Sequence, residues 1–145
     1  MTSSDAEAAV PSVLDTLFVY GSLRSTCDNS FARKLAREAT LLGNARVCGR
    51  LYRIASYPGI VLSDASEDWV HGEVYKLHEP STLLPFLDEY EGCAPHSSRP
   101  LQFERTITEA RLSGEEPIAC WIYVYCQEES LQEDRRIASG DYFRP

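Results

Sequence analysis

Residues 17–24 read LFVYGSLR, a short apolar run that stops abruptly at Gly21-Ser22. Apolar residues in succession from Thr16 to Tyr20 predict a strand buried on both faces. A buried strand that runs into a glycine turn leaves backbone N–H groups unpaired at its end. Oriented amides of this kind form a concave site for negative charge. A second stretch, LDEYEG at residues 87–92, has the pattern of a helix end and delivers a carboxylate, Glu91, just before a glycine. An anion-binding turn and one placed carboxylic acid point together to acid–base chemistry on a small anionic substrate.

Working outward, SFARKLAREATLLG predicts a helix, with Phe31, Leu35 and Leu42 at near-helical spacing, Ser30 as N-cap and Gly43 as the stop. From Ala45 the chain turns to short strands: ARVCGRLYRI, GIVLSD and WVHGEVYKL. Tyr57-Pro58-Gly59 reads as a type II turn, with Pro58 fixing φ and Gly59 supplying a positive φ. PSTLLPFLDEYEG predicts a second helix, capped by Ser81, burying Leu83, Leu84, Phe86 and Leu87, with Pro85 in or near its first turn and Gly92 at its C-terminus. QFERTITEARL and PIACWIYVYC form a hairpin about residues 113–116. Its second arm is apolar on both faces, Ile118, Cys120, Ile122, Val124 and Cys126 against Trp121, Tyr123 and Tyr125, as in a filled barrel wall. QEESLQEDRRIAS reads as a final short helix. The fold class is α+β, a small curved or closed sheet with two or three helices outside it.

At 145 residues, 43% hydrophobic and 25% charged, the chain fits one domain, residues 14–145, behind a flexible polar tail at residues 1–13. The net charge of −8, from 22 acidic against 14 basic residues, disfavours nucleic acid and anionic membranes as partners. No apolar run approaches the ~20 residues of a membrane-spanning helix, and the N-terminus carries no secretory pattern. Five cysteines without a CxxC pair, and His71, His78 and His96 without ligand spacing, give no metal site or disulfide framework. Cys120 and Cys126 read as buried small hydrophobes, and the compartment as a reducing cytoplasm. Oligomeric state leaves no trace in the sequence.

VYGSLR, YPGIV (residues 57–61), GEVYKL (residues 72–77) and LDEYEG occur in an order and at separations that resemble the gamma-glutamylcyclotransferase-like family. That family includes the gamma-glutamylamine cyclotransferases and the AIG2-like proteins, and the resemblance runs from Leu17 to Tyr125. It implies a small mixed β-barrel flanked by helices. It implies that Tyr20, Gly21, Ser22 and Leu23 hold the α-carboxylate and amine end of a γ-glutamyl group. Glu91 matches the family's catalytic glutamate, a general acid/base for closing the substrate's own α-amine onto its γ-carbonyl. The products are then 5-oxoproline and an amine or amino acid, formed without cofactor or metal.

The plainer readings are that Gly21 serves only its turn, and that Asp88, Glu89 and Glu91 are solvated surface charges. Acids at a helix C-terminus oppose the helix dipole, however, which hints at a role. Glu89, two residues away, points differently, and the family pattern favours Glu91. Ser22 has no His or Asp in a partner motif and reads as a hydrogen-bonding hydroxyl rather than a nucleophile. Arg105 matches a family arginine read here as structural, paired with an acid. Phe103 stands where the family usually has a tyrosine, so any hydrogen bond from that position is lost. Tyr123 and Tyr125 are candidates for pocket lining or core; Trp69 and Trp121 read as core. Residues 93–100 and the C-terminal tail are expected to build the end that receives the leaving group. The alternative to an enzyme is a binding module that holds a γ-glutamyl or other small carboxylate without turnover.

Overall fold

The computed structural model describes residues 14–144 except Ser66 and Glu115; the expected tail at residues 1–13 lies outside the described residues. The strands are β1 (Thr16–Val19), β2 (Ala39–Arg53), β3 (Pro58–Leu62), β4 (Trp69–Leu77), β5 (Phe103–Leu112) and β6 (Pro117–Tyr125). Five of them close into a mixed barrel in the order β2-β4-β1-β6-β5, with β5 returning to β2 through Ala45↔Leu112, Arg46↔Arg111 and Val47↔Ala110. β3 is added to the free side of β2. β1 runs parallel to β6, with Leu17 opposite Trp121, and the other pairings are antiparallel.

Side-chain alternation then divides the apolar residues into two cores. Phe18, Val47, Leu51, Val70, Val74, Ala110, Cys120 and Ile122 fill the barrel. Leu17, Val19, Tyr75, Leu77 and Tyr123 face outward and pack under Leu35 of helix α1 (Ser30–Glu38) and Leu83, Leu84 and Leu87 of helix α2 (Pro80–Glu91). β1 is therefore covered on both faces, as its unbroken apolar run requires. Gly72 belongs to the interior set. A side chain there would meet the Val19 carbonyl at 2.2 Å and the Phe18 ring at 2.8 Å, so the glycine is what lets Phe18 fill the barrel.

Several local expectations are corrected. α1 ends at Glu38, not at Gly43, and its N-cap is Asn29 rather than Ser30, the Asn29 carboxamide accepting the Ala32 N–H at 2.8 Å. Residues 39–43 instead begin the long strand β2, with a bulge between Leu41 and Gly43 that puts Gly43 at φ 146°. Leu42 is half-exposed there, because pairing with β4 outcompetes helical spacing as a use for these residues.

Pro58 and Gly59 lie inside β3, and the turn is residues 54–57, closed by the Ile54 N–H on the Tyr57 carbonyl at 3.0 Å. Gly59 answers close packing rather than positive φ: a Cβ would sit 2.9 Å from Ile54 and 3.0 Å from the Tyr125 Cβ. α2 starts at Pro80 with Glu79 before it and no side-chain cap, so Ser81 does not cap it, and Pro85 lies in its interior. Cys126 is exposed, while Cys120 is fully buried. The acidic segment forms two 3₁₀ turns, Glu128–Ser130 and Glu133–Arg135, rather than one helix. Trp69 and Trp121 are half-buried, each under an arginine, Arg46 at 4.1 Å and Arg105 at 4.3 Å.

Gly72→Ala is expected to cost about 1–3 kcal/mol or more of stability through overpacking. Gly114→Ala, where a Cβ meets nothing within 4 Å, is expected to change it little. Urea titration of the two variants checks the contrast.

Candidate functional site

Where β1 ends, the barrel opens into a cavity of about 400 Å³. One part of its wall is residues 20–23, a second is Tyr90, Glu91 and Gly92 at the end of α2, and a third is Tyr57, Pro58, Gln102 and Phe103, with Tyr123 between. The turn after Tyr20 and the carboxylate of LDEYEG thus face one space.

The turn is held from several directions. Ser25 donates through its N–H and its hydroxyl to the two oxygens of buried Glu73, each at 2.6 Å. The Asn29 side chain that caps α1 also donates to the Ser22 carbonyl at 2.9 Å. Arg24 pairs with Asp141 of the C-terminal segment at 3.0 Å. The Ser22 hydroxyl shares a 2.7 Å hydrogen bond with the Tyr90 hydroxyl, tying the turn to the helix that carries Glu91. The Tyr90 ring stacks on Phe31 with centroids 4.0 Å apart. Within the turn Arg24 N–H closes on the Gly21 carbonyl, whereas the N–H groups of Ser22 and Leu23 have no acceptor among the described residues. Gly21 is dictated by proximity: a Cβ would lie 2.9 Å from the Pro58 ring. Tyr20 donates its hydroxyl to the Tyr123 carbonyl at 2.7 Å and accepts the Ile60 N–H at 3.3 Å, leaving its ring and backbone for the cavity. Burial, and then the charge of Glu91, push its phenol well above the ordinary range, so it stays neutral.

Among the described residues, Glu91 is the one charged residue on the cavity wall. No described residue donates a hydrogen bond to it. Burial first, and the charge of Asp88 second, push its carboxyl from the ordinary 4.5 up to about 7. Asp88 itself is consumed by structure. Arg105 holds it with two bonds, Nε at 2.8 Å and Nη2 at 3.0 Å, and the Tyr123 hydroxyl donates to it at 2.7 Å. Glu89 is exposed and paired with His96. The three acids at the end of α2 therefore have three environments, and only Glu91 is desolvated in the cavity. A carboxyl poised near neutrality beside unpaired amides can move a proton on a bound anion.

Tyr125 is not on the cavity wall; its hydroxyl bonds Ser130 at 2.9 Å and its ring stands edge-on to Phe103 at 5.6 Å. Among the described residues, neither residues 93–100 nor the C-terminal tail lines the cavity; beyond the turn and the end of α2 its wall includes Tyr57, Pro58, Gln102 and Phe103. Tyr57, Pro58, Gln102, Tyr90 and the supporting Glu73 and Asp141 escape sequence reasoning, since only the closed barrel brings them to the turn. YPGIV carried the one available signal, Pro58. Among the described residues no cluster of His, Cys, Asp and Glu could hold a metal ion, and no helix is long and apolar enough to cross a membrane.

The family model described as "Gamma-glutamyl cyclotransferase, AIG2-like" matches residues 17–144. A Bacillus subtilis protein named "Putative gamma-glutamylcyclotransferase YkqA" is 38% identical over 63 residues, 43% of this chain and 22% of YkqA, so this chain spans only a fraction of that relative's length. The crystal structure of YkqA is similar with a TM-score of 0.63 at 23% identity, covering 89% of this chain and 39% of that one. An AIG2-like protein from Mus musculus gives a TM-score of 0.66 at 19% identity, over 89% of this chain and 88% of that one. A structure of a gamma-glutamyl cyclotransferase gives 0.57 at 20% identity, over 79% and 68%. At these identities the solved structures establish the fold.

Two consequences of the electrostatics are measurable. In Glu91→Gln the partly buried ionisable group is gone. The wild type binds its extra proton between pH 4.5 and about 7 in the folded state, so its stability falls over that interval as pH rises. Glu91→Gln is therefore expected to gain stability relative to the wild type across this window, with the gain complete above it and absent below; thermal melts across pH check this. Arg105→Leu strips Asp88 of its partner. We expect a loss of roughly 2–3 kcal/mol and, in a carboxyl NMR titration, a Glu91 pKa moved further upward.

Proposed function

The chain belongs to the gamma-glutamyl cyclotransferase, AIG2-like family, and on that premise we propose that it cyclises a γ-glutamyl amide to 5-oxoproline and releases an amine, with Glu91 as general acid/base. The observation that carries this reading is the desolvated Glu91 carboxyl, raised to about 7 and sharing one cavity with the unpaired amides of Ser22 and Leu23. Those amides suit the substrate's α-carboxylate, which needs donors but no cationic side chain. Gly21, fitted against Pro58, keeps the backbone itself at the cavity surface.

The α-ammonium gives its first proton to solvent and becomes nucleophilic. Its nitrogen attacks the γ-carbonyl carbon, forming the lactam C–N bond, and its second proton passes to the Glu91 carboxylate. Glu91 returns that proton to the departing nitrogen as the original γ-amide bond breaks, and the released amine takes up the other from solvent. Proton counts balance, and one carboxyl serves both steps, a contribution of about 10²–10⁴-fold. A solvated glutamate would hold its proton too weakly to return it near neutrality. Desolvation therefore makes one residue sufficient.

Incubation with a panel of γ-glutamyl amides, read out as 5-oxoproline, tests this. The acid limb of kcat/KM is expected near pH 7, rising with pH as Glu91 ionises. Glu91→Gln is expected to lose about 10²-fold or more while remaining folded. Full turnover by that variant would overturn the assignment, and binding without product by the wild type would favour the binding-module reading.

A further inference from the structure

Resting on the reading above, ring closure places a second demand on the cavity beyond moving a proton. When the α-nitrogen attacks, the γ-carbonyl oxygen becomes an alkoxide, and a desolvated site must offer it a donor. Glu91 is ionised as the attack begins, so it has no hydrogen for that oxygen. The amides of Ser22 and Leu23 are taken by the α-carboxylate. Among the described residues, the wall side chains that carry a donor hydrogen besides Glu91 are Tyr20, Ser22, Tyr57, Tyr90, Gln102 and Tyr123. Three are committed elsewhere: Tyr20 to the Tyr123 carbonyl, Tyr57 to Gln102 Oε1 and Tyr123 to Asp88. The Gln102 carboxamide keeps its N–H groups, but it is exposed at the rim, where it offers an oxyanion little that water does not. Ser22 and Tyr90 remain. Their hydroxyls share one 2.7 Å hydrogen bond, which uses one of the two hydrogens and leaves the other free to donate.

We propose that the Tyr90 phenol is a second catalytic residue, donating a hydrogen bond to the γ-carbonyl oxygen as it becomes negative, while Ser22 donates to Tyr90. A phenol is a stronger donor than an aliphatic alcohol, so this order sets the better donor against the charge. The two bonds in sequence polarise one another, and the Ser22 hydroxyl strengthens the phenol's donation. Position favours Tyr90 as well. It precedes Glu91 on the last turn of α2, both line the cavity, and its ring is braced on Phe31 with centroids 4.0 Å apart. One helix end thus presents an acceptor for the nitrogen's proton and a donor for the carbonyl oxygen. No proton leaves the phenol. When the γ C–N bond breaks, the electron pair on oxygen re-forms the carbonyl of the lactam, and the departing nitrogen takes its proton from Glu91.

Two variants test this. Tyr90→Phe removes only the phenol oxygen and keeps the ring on Phe31, whereas Ser22→Ala removes the same hydrogen bond from its other side. A bond that merely ties the turn to α2 is lost equally in both variants, but an oxyanion donor is lost in only one. With the γ-glutamyl amide that the wild type turns over fastest, Tyr90→Phe is expected to lose about 10²-fold in kcat with little change in KM. Ser22→Ala is expected to lose less than about 10-fold. Calorimetry in the Glu91→Gln background, with and without Tyr90→Phe, is expected to give equal affinity for that amide, since a neutral carbonyl gains little from the phenol. Thermal melts check that each variant is folded. Equal losses in the two variants, a loss confined to KM, or full kcat in Tyr90→Phe overturns the inference and leaves the cyclotransferase reading standing. Wild-type protein that releases no 5-oxoproline from any γ-glutamyl amide overturns both.

Discussion

The Asp88–Arg105 ion pair is the interaction on which the site depends. The last turn of α2 carries three acids at the negative end of a helix dipole, an arrangement that is unfavourable unless compensated. Arg105, on β5, grips Asp88 with two bonds while its guanidinium lies over the Trp121 ring of β6. Tyr123, also on β6, adds its hydroxyl. One carboxylate thereby fastens α2 to both strands of the closing hairpin. Below it, Gly92 in the left-handed region, φ 75°, and Cys93 turn their N–H groups back onto the carbonyls of Glu89 and Asp88. The helix end is fixed at the side chain and at the backbone. Glu91 is held one turn on, where no donor is left to satisfy it. The same pair that anchors the helix also leaves a nearby negative charge, which adds to desolvation in raising the Glu91 carboxyl.

The opposite wall is held by a different means. β1 is central and covered on both faces, so its exit has one open direction, along the mouth of the barrel. Pro58 of the added strand β3 presses on Gly21, and the Tyr20 hydroxyl bridges β3 to β6 through Ile60 N–H and the Tyr123 carbonyl. Glu73, Asn29 and Asp141 then fix the turn from β4, α1 and the C-terminal segment. A turn pinned to so many separate elements keeps its amides oriented before anything binds, and this ordering is what an oriented-dipole site needs.

What could be read from the sequence was what is locally determined. β1 and β6 announce themselves because apolar residues on both faces write unbroken apolar runs. Gly92 follows from helix termination, and Glu91 from its place before that glycine. Residues 39–43 were misread because Leu35 and Leu42 fit a helical spacing as well as a strand that bulges at Gly43, and only the pairing with β4 decides between them. Gly59 looked like a turn residue but answers to Ile54 and Tyr125, neighbours that a local window cannot contain. The wall of Tyr57, Gln102 and Phe103 stayed invisible for the same reason. It joins the turn before β3 to the start of β5, and nothing short of barrel closure brings them together.

Under the proposed chemistry an acidic chain must receive a charged head group, which poses an electrostatic problem. A lysine or arginine in the cavity would hold the α-carboxylate well, but it would also sit near Glu91 and pull its carboxyl downward, toward the range where it is a weak base and a poor proton donor. Backbone amides supply oriented partial charges that are short-ranged and spread over the turn, so they can satisfy a carboxylate with less effect on the acid. The arginines needed for stability are meanwhile neutralised within their own pairs, Arg105 by Asp88 and Arg24 by Asp141. Keeping cationic side chains off the wall is thus the condition under which a lone glutamate stays near neutrality and can both take and return a proton.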